Sequence, residues 1–489
     1  MIPGSFLIYL DMTVVNVALP AFREQFGLDL GGLQWIISIY VLAMGVSTPL
    51  SGFLADVWGV RTTLVAGLGA FVIGSVLAGL APGLGVLLAG RAFQGIGGGL
   101  ASPLASAQLL RAFPPSERGV AFGVFGLVLI VAPATGPLVG GWFVDAGQWR
   151  WAFLINIPVG ALGVYLSSRH LVDARAKRRP AFDALGALTC TVGCGALLYG
   201  SSLAGSLGWG DPATVLFFAI GAACVAVFVP HELWNTKAPL LDLRLYRSGT
   251  FASSSSLGHI SVVALFGAEF LYPIYLQMLR GLSGVASGAI LLPIALGAGL
   301  AMPLAGKLYD RVGPRFVVAL GYALLVFNSW QMSQLDAATS TRWLVALSAV
   351  RGVAIGLTAQ STFASAMSVV APEAAPRATA LITCTRYVVQ AMAVPLLATV
   401  ASTRLSHPIP WAHVHAAAGD TGVLGLCDAM RATTATMDAA CTESLRGLSR
   451  AYRATCGFAI VGLAVAVFLP GWPGEWPVLQ PISRRVARR

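Results

Sequence analysis

Long apolar stretches alternate with short polar ones along the whole chain, and each is about as long as a membrane-spanning helix. A helix rises 1.5 Å per residue, so it crosses the roughly 30 Å hydrocarbon core of a bilayer in about 20 residues. Continuous runs of this length favour helices over a membrane β-barrel, whose strands alternate every second residue. The predicted spans lie at about residues 2–22, 33–54, 61–81, 84–111, 118–144, 151–169, 184–205, 213–230, 250–278, 283–306, 315–334, 342–370, 375–402 and 451–470.

Composition supports this prediction of an all-α integral membrane protein with fourteen transmembrane helices. Hydrophobic residues make up 56% of the 489 residues and charged residues only 10%, and the mean hydropathy is +0.77. Globular proteins contain about 25% charged residues, so most of this chain is expected to contact lipid or other helices. The first run has no basic residue ahead of it and carries an acid at its middle, which predicts a retained helix and not a secretory signal.

Charge placement predicts the orientation in the cell (inner) membrane. The net charge is +11, and the basic residues fall between the apolar runs, so topology explains them and no nucleic-acid partner is expected. An even number of spans places both termini on one side. The basic stretches 169–179 and 484–489 place that side in the cytoplasm by the positive-inside rule.

Two loops share the pattern Gly-x-Leu-x-Asp-x-x-Gly-x-Arg, which indicates an internal repeat. They are "GFLADVWGVR" at 52–61 and "GKLYDRVGPR" at 306–315, 254 positions apart. Arg91 and Arg351 open a second pair of matching stretches. Two related six-helix halves of this kind are typical of secondary transporters, which bind substrate between the halves near the membrane midplane. The predicted parts are a first half at 1–169, a basic linker with inserted helices at 170–249, a second half at 250–470 with an external loop at 403–450, and a basic cytoplasmic tail at 471–489.

The repeated loop is predicted to act as a conformational latch. Its glycines would let two helices end close together, and Asp56 would accept from backbone N–H groups or pair with an arginine. The alternative is an ordinary charged turn. The predicted latch residues are Gly52, Asp56, Gly59, Arg61, Asp310 and Arg311.

Ionisable residues inside the predicted spans are costly in lipid and mark either a transport pathway or a structural pair. They are Asp11, Arg91, His259, Glu269, Arg351 and Arg386. Asp11 lies near the middle of the first span. It is predicted either to carry protons through a central cavity or to form a permanent pair with an arginine. Arg91 would modulate the protonation of an acid or anchor the fold, and Arg351 is interpreted as a structural counterpart.

Phe266 and Tyr272 share a helical face with Glu269, three residues away on either side. Aromatic rings beside a carboxylate suit a lipophilic cation, so these three residues are predicted to bind substrate. The alternative places the rings in the core or against lipid. His259 would relay protons or pack between helices. The spans contain three arginines and only two acids, however, and this surplus of positive charge would instead suit anionic or zwitterionic substrates.

The external loop, 403–450, contains apolar residues near helical spacing, which predicts an amphipathic element over the outer mouth. Cys427 and Cys441 would bridge only if this segment folds back, since a straight helix separates them by roughly 21 Å. The seven cysteines contain no CxxC pair or His cluster, so no metal site is expected.

Five motifs resemble those of the major facilitator superfamily and of its fourteen-helix drug:proton antiporter branch in particular. They are "LDMTVVNVALP" (10–20), "GFLADVWGVRTTL" (52–64), "RAFQGIGGG" (91–99), "ATGPLVGGW" (134–142) and "WRWAFLINIPVG" (149–160). The resemblance implies proton coupling or cation binding at Asp11, with Arg91 modulating the protonation of an acid; we expect Glu269 to take part in proton coupling as well. It also implies that the fifth helix gates the pathway through Gly136, Pro137, Gly140 and Gly141. Arg386 matches an arginine common in this branch and is predicted to lie at the substrate site.

We therefore expect a monomeric, proton-coupled antiporter that exports lipophilic cationic or neutral drugs by alternating access. Its expected partners are the small-molecule substrate, protons and the lipid bilayer. No GxxxxGK[ST] stretch is present, so we expect a transporter driven by the proton gradient, without a cofactor or enzymatic activity. The alternatives are a dedicated exporter of a single metabolite, antibiotic or lipid, and a membrane receptor or assembly factor without transport.

Overall fold

The computed structural model describes residues 2–26, 30–114, 117–171, 183–235, 239–280, 282, 284–336, 338–402 and 435–470. Every regular element in these ranges is helical. The helices are α1 (Ile2–Val17), α2 (Leu19–Phe26), α3 (Leu30–Trp58), α4 (Val60–Gly79), α5 (Leu84–Ala112), α6 (Arg118–Asp145), α7 (Trp151–Leu154), α8 (Asn156–His170), α9 (Ala184–Ser206), α10 (Pro212–Pro230), α11 (Gly249–Ile274), α12 (Gly284–Val312), α13 (Pro314–Met332), α14 (Thr341–Met367), α15 (Ala375–Ser402) and α16 (Ala435–Ala466).

The predicted all-helical membrane architecture is confirmed, because each of the fourteen predicted spans coincides with helical structure. The first span corresponds to α1 and α2, and the sixth to α7 and α8. Among the described residues, nine helices are long and apolar enough to cross a bilayer. The start of the last helix differs most from the prediction, and the difference has a packing cause.

The last helix begins at Ala435 and not near residue 451, so the part of the predicted external loop after 434 is helical. Leu448 and Tyr452 lie one turn apart on α16 and are buried in a cluster with Met332 of α13, and Leu445 packs against the same cluster. This apolar face extends the helix beyond its membrane-spanning length. The rest of the predicted loop, including Cys427 and residues 403–434, lies outside the described residues, as does the side chain of Cys441.

The eighth span, α10, ends at Pro230 as predicted, and a π-helical turn, His231–Asn235, follows it. A second π-helical turn, Tyr275–Leu279, follows α11, and a 3₁₀ turn, Leu243–Arg247, precedes it.

The chain forms two compact units that do not follow chain order. The first contains Met1–Ala252 and Ala364–Val388, and the second contains Ser253–Phe363 and Val389–Trp476. The beginning of α15 joins the first unit because its side chains contact α3 and α9, as described below. The predicted division into halves at 1–169 and 250–470 is a statement about sequence ancestry, and it stays a prediction.

The two copies of the repeated loop adopt the same backbone turn. Gly59 precedes α4 with a φ of 93°, and Gly313 precedes α13 with a φ of 80°. Both values lie in the left-handed region that residues with a Cβ rarely adopt. The repeat in the sequence therefore encodes a repeated helix-to-helix turn.

Small residues set the spacing between α4 and α5. A Cβ atom on Gly74 would lie 2.6 Å from the Gln94 nitrogen, and one on Gly90 would lie 2.6 Å from the Ala78 nitrogen. Close backbone approach at small residues is the common way for membrane helices to pack. On the same helix α4, a Cβ on Gly69 would meet nothing within 4 Å.

The substitution Gly74→Ala should therefore lower stability, because the new methyl group meets backbone atoms that cannot move aside. We expect a loss of about 1–3 kcal/mol in the free energy of unfolding. Gly69→Ala is the matched control on α4 and should not destabilise the protein. Thermal unfolding of the purified protein in detergent measures both variants, and equal unfolding temperatures would contradict this account of the α4–α5 packing.

Candidate functional site

A fully buried carboxylate on α1 forms the centre of a polar network in the first unit. Asp11 has no exposed surface, and its Oδ2 accepts a hydrogen bond from Arg91 Nη1 of α5 at 2.5 Å. Its Oδ1 accepts from Gln94 Nε2 of α5 at 3.0 Å. The same oxygen accepts from Asn156 Nδ2 at the start of α8 at 2.7 Å. Three donors from two other helices thus converge on one side chain.

The Arg91 side chain also has partners other than Asp11. It donates from Nη1 to Gln94 Oε1 at 2.9 Å and from Nε to the Ile36 carbonyl of α3 at 3.1 Å. Its guanidinium lies over the Tyr40 ring, 4.2 Å from the centroid. Gln94 also donates to Ser75 Oγ of α4 at 2.8 Å. The network therefore connects α1, α3, α4, α5 and α8.

This donor arrangement fits an ionised carboxylate. An ionised carboxylate only accepts hydrogen bonds, whereas a protonated one also donates. Every partner named for Asp11 is an N–H donor, as expected around an ionised carboxylate.

The geometry corresponds to the pairing alternative of the sequence analysis in this conformation, and proton coupling at Asp11 stays a prediction. Sequence reasoning brought Asp11 and Arg91 forward as intramembrane charges but missed Asn156 as a third participant. The available signal was a lone amide between Ile155 and Ile157 in an otherwise apolar motif.

The predicted gating helix packs directly beside this site. A Cβ on Gly136 of α6 would lie 2.8 Å from Thr13 Cβ, and one on Gly140 would lie 2.9 Å from the Val14 carbonyl oxygen. Both glycines therefore lie against the turn of α1 that follows Asp11. The side chains of Pro137 and Gly141 lie outside the described residues.

The predicted latch residue Asp56 forms an ion pair with an arginine that sequence reasoning did not name. Arg377 of α15 donates from Nε to Asp56 Oδ2 at 2.7 Å and from Nη1 to the Pro239 carbonyl at 3.0 Å. A Cβ on Gly52 would lie 3.1 Å from Arg377 Cα, so α3 and α15 approach closely here. The two partners are 321 positions apart, which explains why no local pattern revealed the pair.

The remaining predicted latch residues occupy both repeated turns. Arg61 is half-buried in the first turn of α4. In the second copy, Asp310 is half-buried and Arg311 is exposed near the end of α12. The corresponding arginine in that copy, Arg315, donates to the Leu469 carbonyl at 2.8 Å. Their role in a latch stays a prediction.

Arg386 lies in the first unit and contacts residues near Asp11. Its guanidinium interacts electrostatically with the phenols of Tyr9 of α1 and of its neighbour Tyr387. Tyr9 is two residues before Asp11, so Arg386 of α15 reaches the same helix as the carboxylate.

Some of the predicted substrate residues of the second unit lie in its core, and the side chains of others lie outside the described residues. Tyr272 is buried, donates to the Leu344 carbonyl at 3.1 Å and accepts from Ser348 Oγ at 3.3 Å, which corresponds to the core alternative. His259 is half-buried and has an interaction partner. The side chains of Phe266 and Glu269 lie outside the described residues.

Arg351, the counterpart of Arg91, is buried in α14 without an ion pair in the described part of the chain. It donates from Nη2 to the Leu265 carbonyl of α11 at 2.6 Å. Its Nε and Nη1 have no hydrogen-bond partner among the described residues. Its positive charge therefore faces α11, the helix that carries Glu269.

A second buried acid, which was not among the predicted site residues, lies just beyond the eighth span. Glu232 lies in the π-helical turn without exposed surface, and its Oε1 accepts from the Leu240 nitrogen at 3.1 Å. Next to it in the chain, His231 Nε2 hydrogen-bonds with Asp183 Oδ1 at 2.7 Å. Asp183 also caps α9 by accepting from the Gly186 nitrogen. These contacts tie the inserted helices α9 and α10 together at one end.

Comparison with known proteins identifies the family. The Major Facilitator Superfamily model matches residues 1–394. The chain belongs to this superfamily. Its relatives include a multidrug resistance protein B homolog of Mycobacterium tuberculosis, 32% identical over 408 residues, which cover 83% of this chain and 75% of that protein. The lincomycin resistance protein LmrB of Listeria monocytogenes is 28% identical over 399 residues, which cover 82% of this chain and 84% of that protein.

A solved structure supports the superfamily fold. The human organic anion transporter MFSD10 (TETRAN) superposes with a TM-score of 0.62 at 14% identity, covering 95% of this chain and 97% of that one. The protein is therefore a multi-pass membrane transporter of the superfamily and not an enzyme. The resemblance found in the sequence motifs is confirmed at the level of the superfamily and its drug-resistance relatives.

The Asp56–Arg377 pair should contribute measurably to the stability of this transporter, since both side chains are only 18–19% exposed. In a double-mutant cycle with Asp56→Asn and Arg377→Gln, we expect a coupling energy of about 1 kcal/mol. The matched control is a second cycle that combines Asp56→Asn with Arg150→Gln. Arg150 donates to the Ala81 carbonyl and not to Asp56. That cycle should be additive in thermal unfolding. Additivity of the Asp56 and Arg377 variants would contradict the latch contact.

Proposed function

We propose that this transporter is a proton-coupled antiporter that exports lipophilic cationic or neutral drugs by alternating access. The observation that carries the proposal is the Asp11 carboxylate, fully buried and held by three N–H donors. The names of the drug-resistance relatives support export of drugs. The proposal also includes action as a monomer in the cell membrane with both termini in the cytoplasm, which rests on the distribution of basic residues.

Proton binding at Asp11 would change the packing of α1. A neutral Asp11 no longer compensates Arg91, and removing one partner of a buried ion pair costs about 3–5 kcal/mol. That free energy favours a rearrangement in which Arg91 finds another partner. Helix α1 also carries Thr13 and Val14 against the glycines of α6, so a shift of Asp11 would alter the contact proposed to gate the pathway.

The Asp56–Arg377 pair would then hold one conformation of the cycle. Both residues are near helix ends, and Asp56 precedes the turn at Gly59. With the proposed orientation, this pair closes the cytoplasmic side and must open before substrate enters from the cytoplasm or inner leaflet. Protonation from the acidic exterior would favour the return step, and release into the cytoplasm would complete the cycle.

Glu269, with Phe266, Tyr272 and His259, is the proposed substrate site of the second half, and Arg386 lies near the site of the first. A carboxylate among aromatic rings favours lipophilic cations. The positive charges of Arg351 and Arg386 favour a second candidate, a dedicated exporter of one metabolite, antibiotic or lipid that carries a negative charge. The two candidates differ in the charge of the compounds that they move.

Asp11→Asn should abolish drug transport driven by a pH gradient in proteoliposomes, because the amide cannot carry the proton. Exchange of labelled for unlabelled drug without a gradient should persist, since it needs no net proton movement. Glu373→Gln neutralises an exposed acid and serves as the matched control, with gradient-driven transport unchanged. Gradient-driven exchange that survives in Asp11→Asn would refute proton coupling at this residue and leave the Asp11–Arg91 pair as purely structural.

Glu269→Gln should reduce transport of cationic drugs by about tenfold, a change of about 1.4 kcal/mol, while neutral drugs of similar size retain their rates. The measurement is uptake into proteoliposomes across a panel of cationic, neutral and anionic compounds. Loss confined to cations supports the carboxylate as the charge-selecting group. Movement of a single anionic compound class by the unmodified protein would favour the dedicated exporter instead.

A further inference from the structure

Three cysteines from two helices meet inside the first unit. Cys190 and Cys194 lie one turn apart on α9, and Cys384 lies on α15. The sulfurs of Cys194 and Cys384 are 3.3 Å apart, and those of Cys190 and Cys194 are 4.0 Å apart. All three sulfur atoms lie within 4.8 Å of one another. Cys384 is 190 positions from Cys194, so the sequence carried no recognisable metal motif.

The cluster has the donor set of a site for a soft ion. Its members are three sulfurs, and the group of facing ligands found in the described residues contains no histidine or carboxylate. Thiolates select soft ions, whereas Mg²⁺ and Ca²⁺ need oxygen ligands. Structural zinc is almost always bound by four ligands, one more than this group provides. Bonds of about 2.3 Å to one central atom, as in Zn–S, place sulfurs about 3.5–4 Å apart, which is close to the observed spacing.

The membrane location restricts the charge of the ion. Cys190 and Cys194 lie in the apolar span Ala184–Ala204, and Cys384 lies in Ala375–Ala401. A net charge in such a segment is costly. Three thiolates around a monovalent ion leave two negative charges, and around a divalent ion they leave one. With all three sulfurs deprotonated, only a trivalent centre gives a neutral complex.

We propose that Cys190, Cys194 and Cys384 form a three-thiolate binding site for trivalent arsenic, taken up as arsenous acid. Each of the three As–O bonds breaks and is replaced by an As–S bond. Each thiol proton leaves with the departing hydroxide as water, so three water molecules are released. No atom changes oxidation state, and the product carries no net charge. The site ties α9 to α15 when it is occupied.

Binding is tested on the purified full-length protein in detergent, reduced with a phosphine and incubated with sodium arsenite. After gel filtration, mass spectrometry should find one arsenic per chain, and X-ray absorption should find three sulfur neighbours. Cys384→Ser and Cys190→Ser should each weaken binding at least about tenfold, because each removes one of three bonds. The matched controls are Cys224→Ser and Cys456→Ser, free cysteines outside the cluster, and these should bind as the unmodified protein does.

Three results would overturn the site. The first is a reduced, monodisperse protein that retains no arsenic. The second is arsenic binding that is unchanged in both Cys384→Ser and Cys190→Ser. Each variant is checked for the native elution volume in gel filtration, and if one fails to fold, the other provides the test. The third is a competition in which Zn²⁺ or Cu⁺ displaces arsenite from the cluster, which would reject the argument from charge neutrality.

Discussion

The buried charge of Asp11 is the constraint on which the arrangement of the first unit depends. An ion in an apolar interior carries a large desolvation penalty unless it is paired and fully hydrogen-bonded. Here the compensation comes from Arg91, Gln94 and Asn156, whose helices must all keep their positions for the network to stay complete. The close-packed glycines of α4 and α6 supply the short distances that such a network needs.

The sequence predicted much of the fold because hydrophobic length is a local property that lipid imposes directly. It predicted less of the site, because ion partners are set by tertiary contacts. Asp11 and Arg91 were recognisable as charges in apolar segments, but the choice between a pair and a proton carrier needed geometry. Arg377 and Cys384 were invisible as partners, since each meets a residue nearly two hundred or more positions away. The start of α16 was misplaced because side-chain packing extends that helix beyond the apolar run.

The two copies of the internal repeat share a backbone turn but differ in their side-chain contacts. Gly59 and Gly313 make the same turn, yet the two repeated arginines differ in their surroundings. Arg91 has a carboxylate within hydrogen-bond distance, whereas Arg351 donates to a backbone carbonyl. Among the described residues, the two equivalent positions therefore differ in their electrostatic surroundings.

Helix α15 is one continuous helix whose two ends belong to different compact units, with the division at Val388 and Val389. Its first turns are fastened to α3 through Arg377, and Arg386 and Tyr387 sit immediately before the division. Pro395, within the same helix, removes a backbone hydrogen bond and lowers the resistance to bending. A bend there would leave the contact of Arg377 with α3 in place, because Arg377 lies in the first turns of the helix.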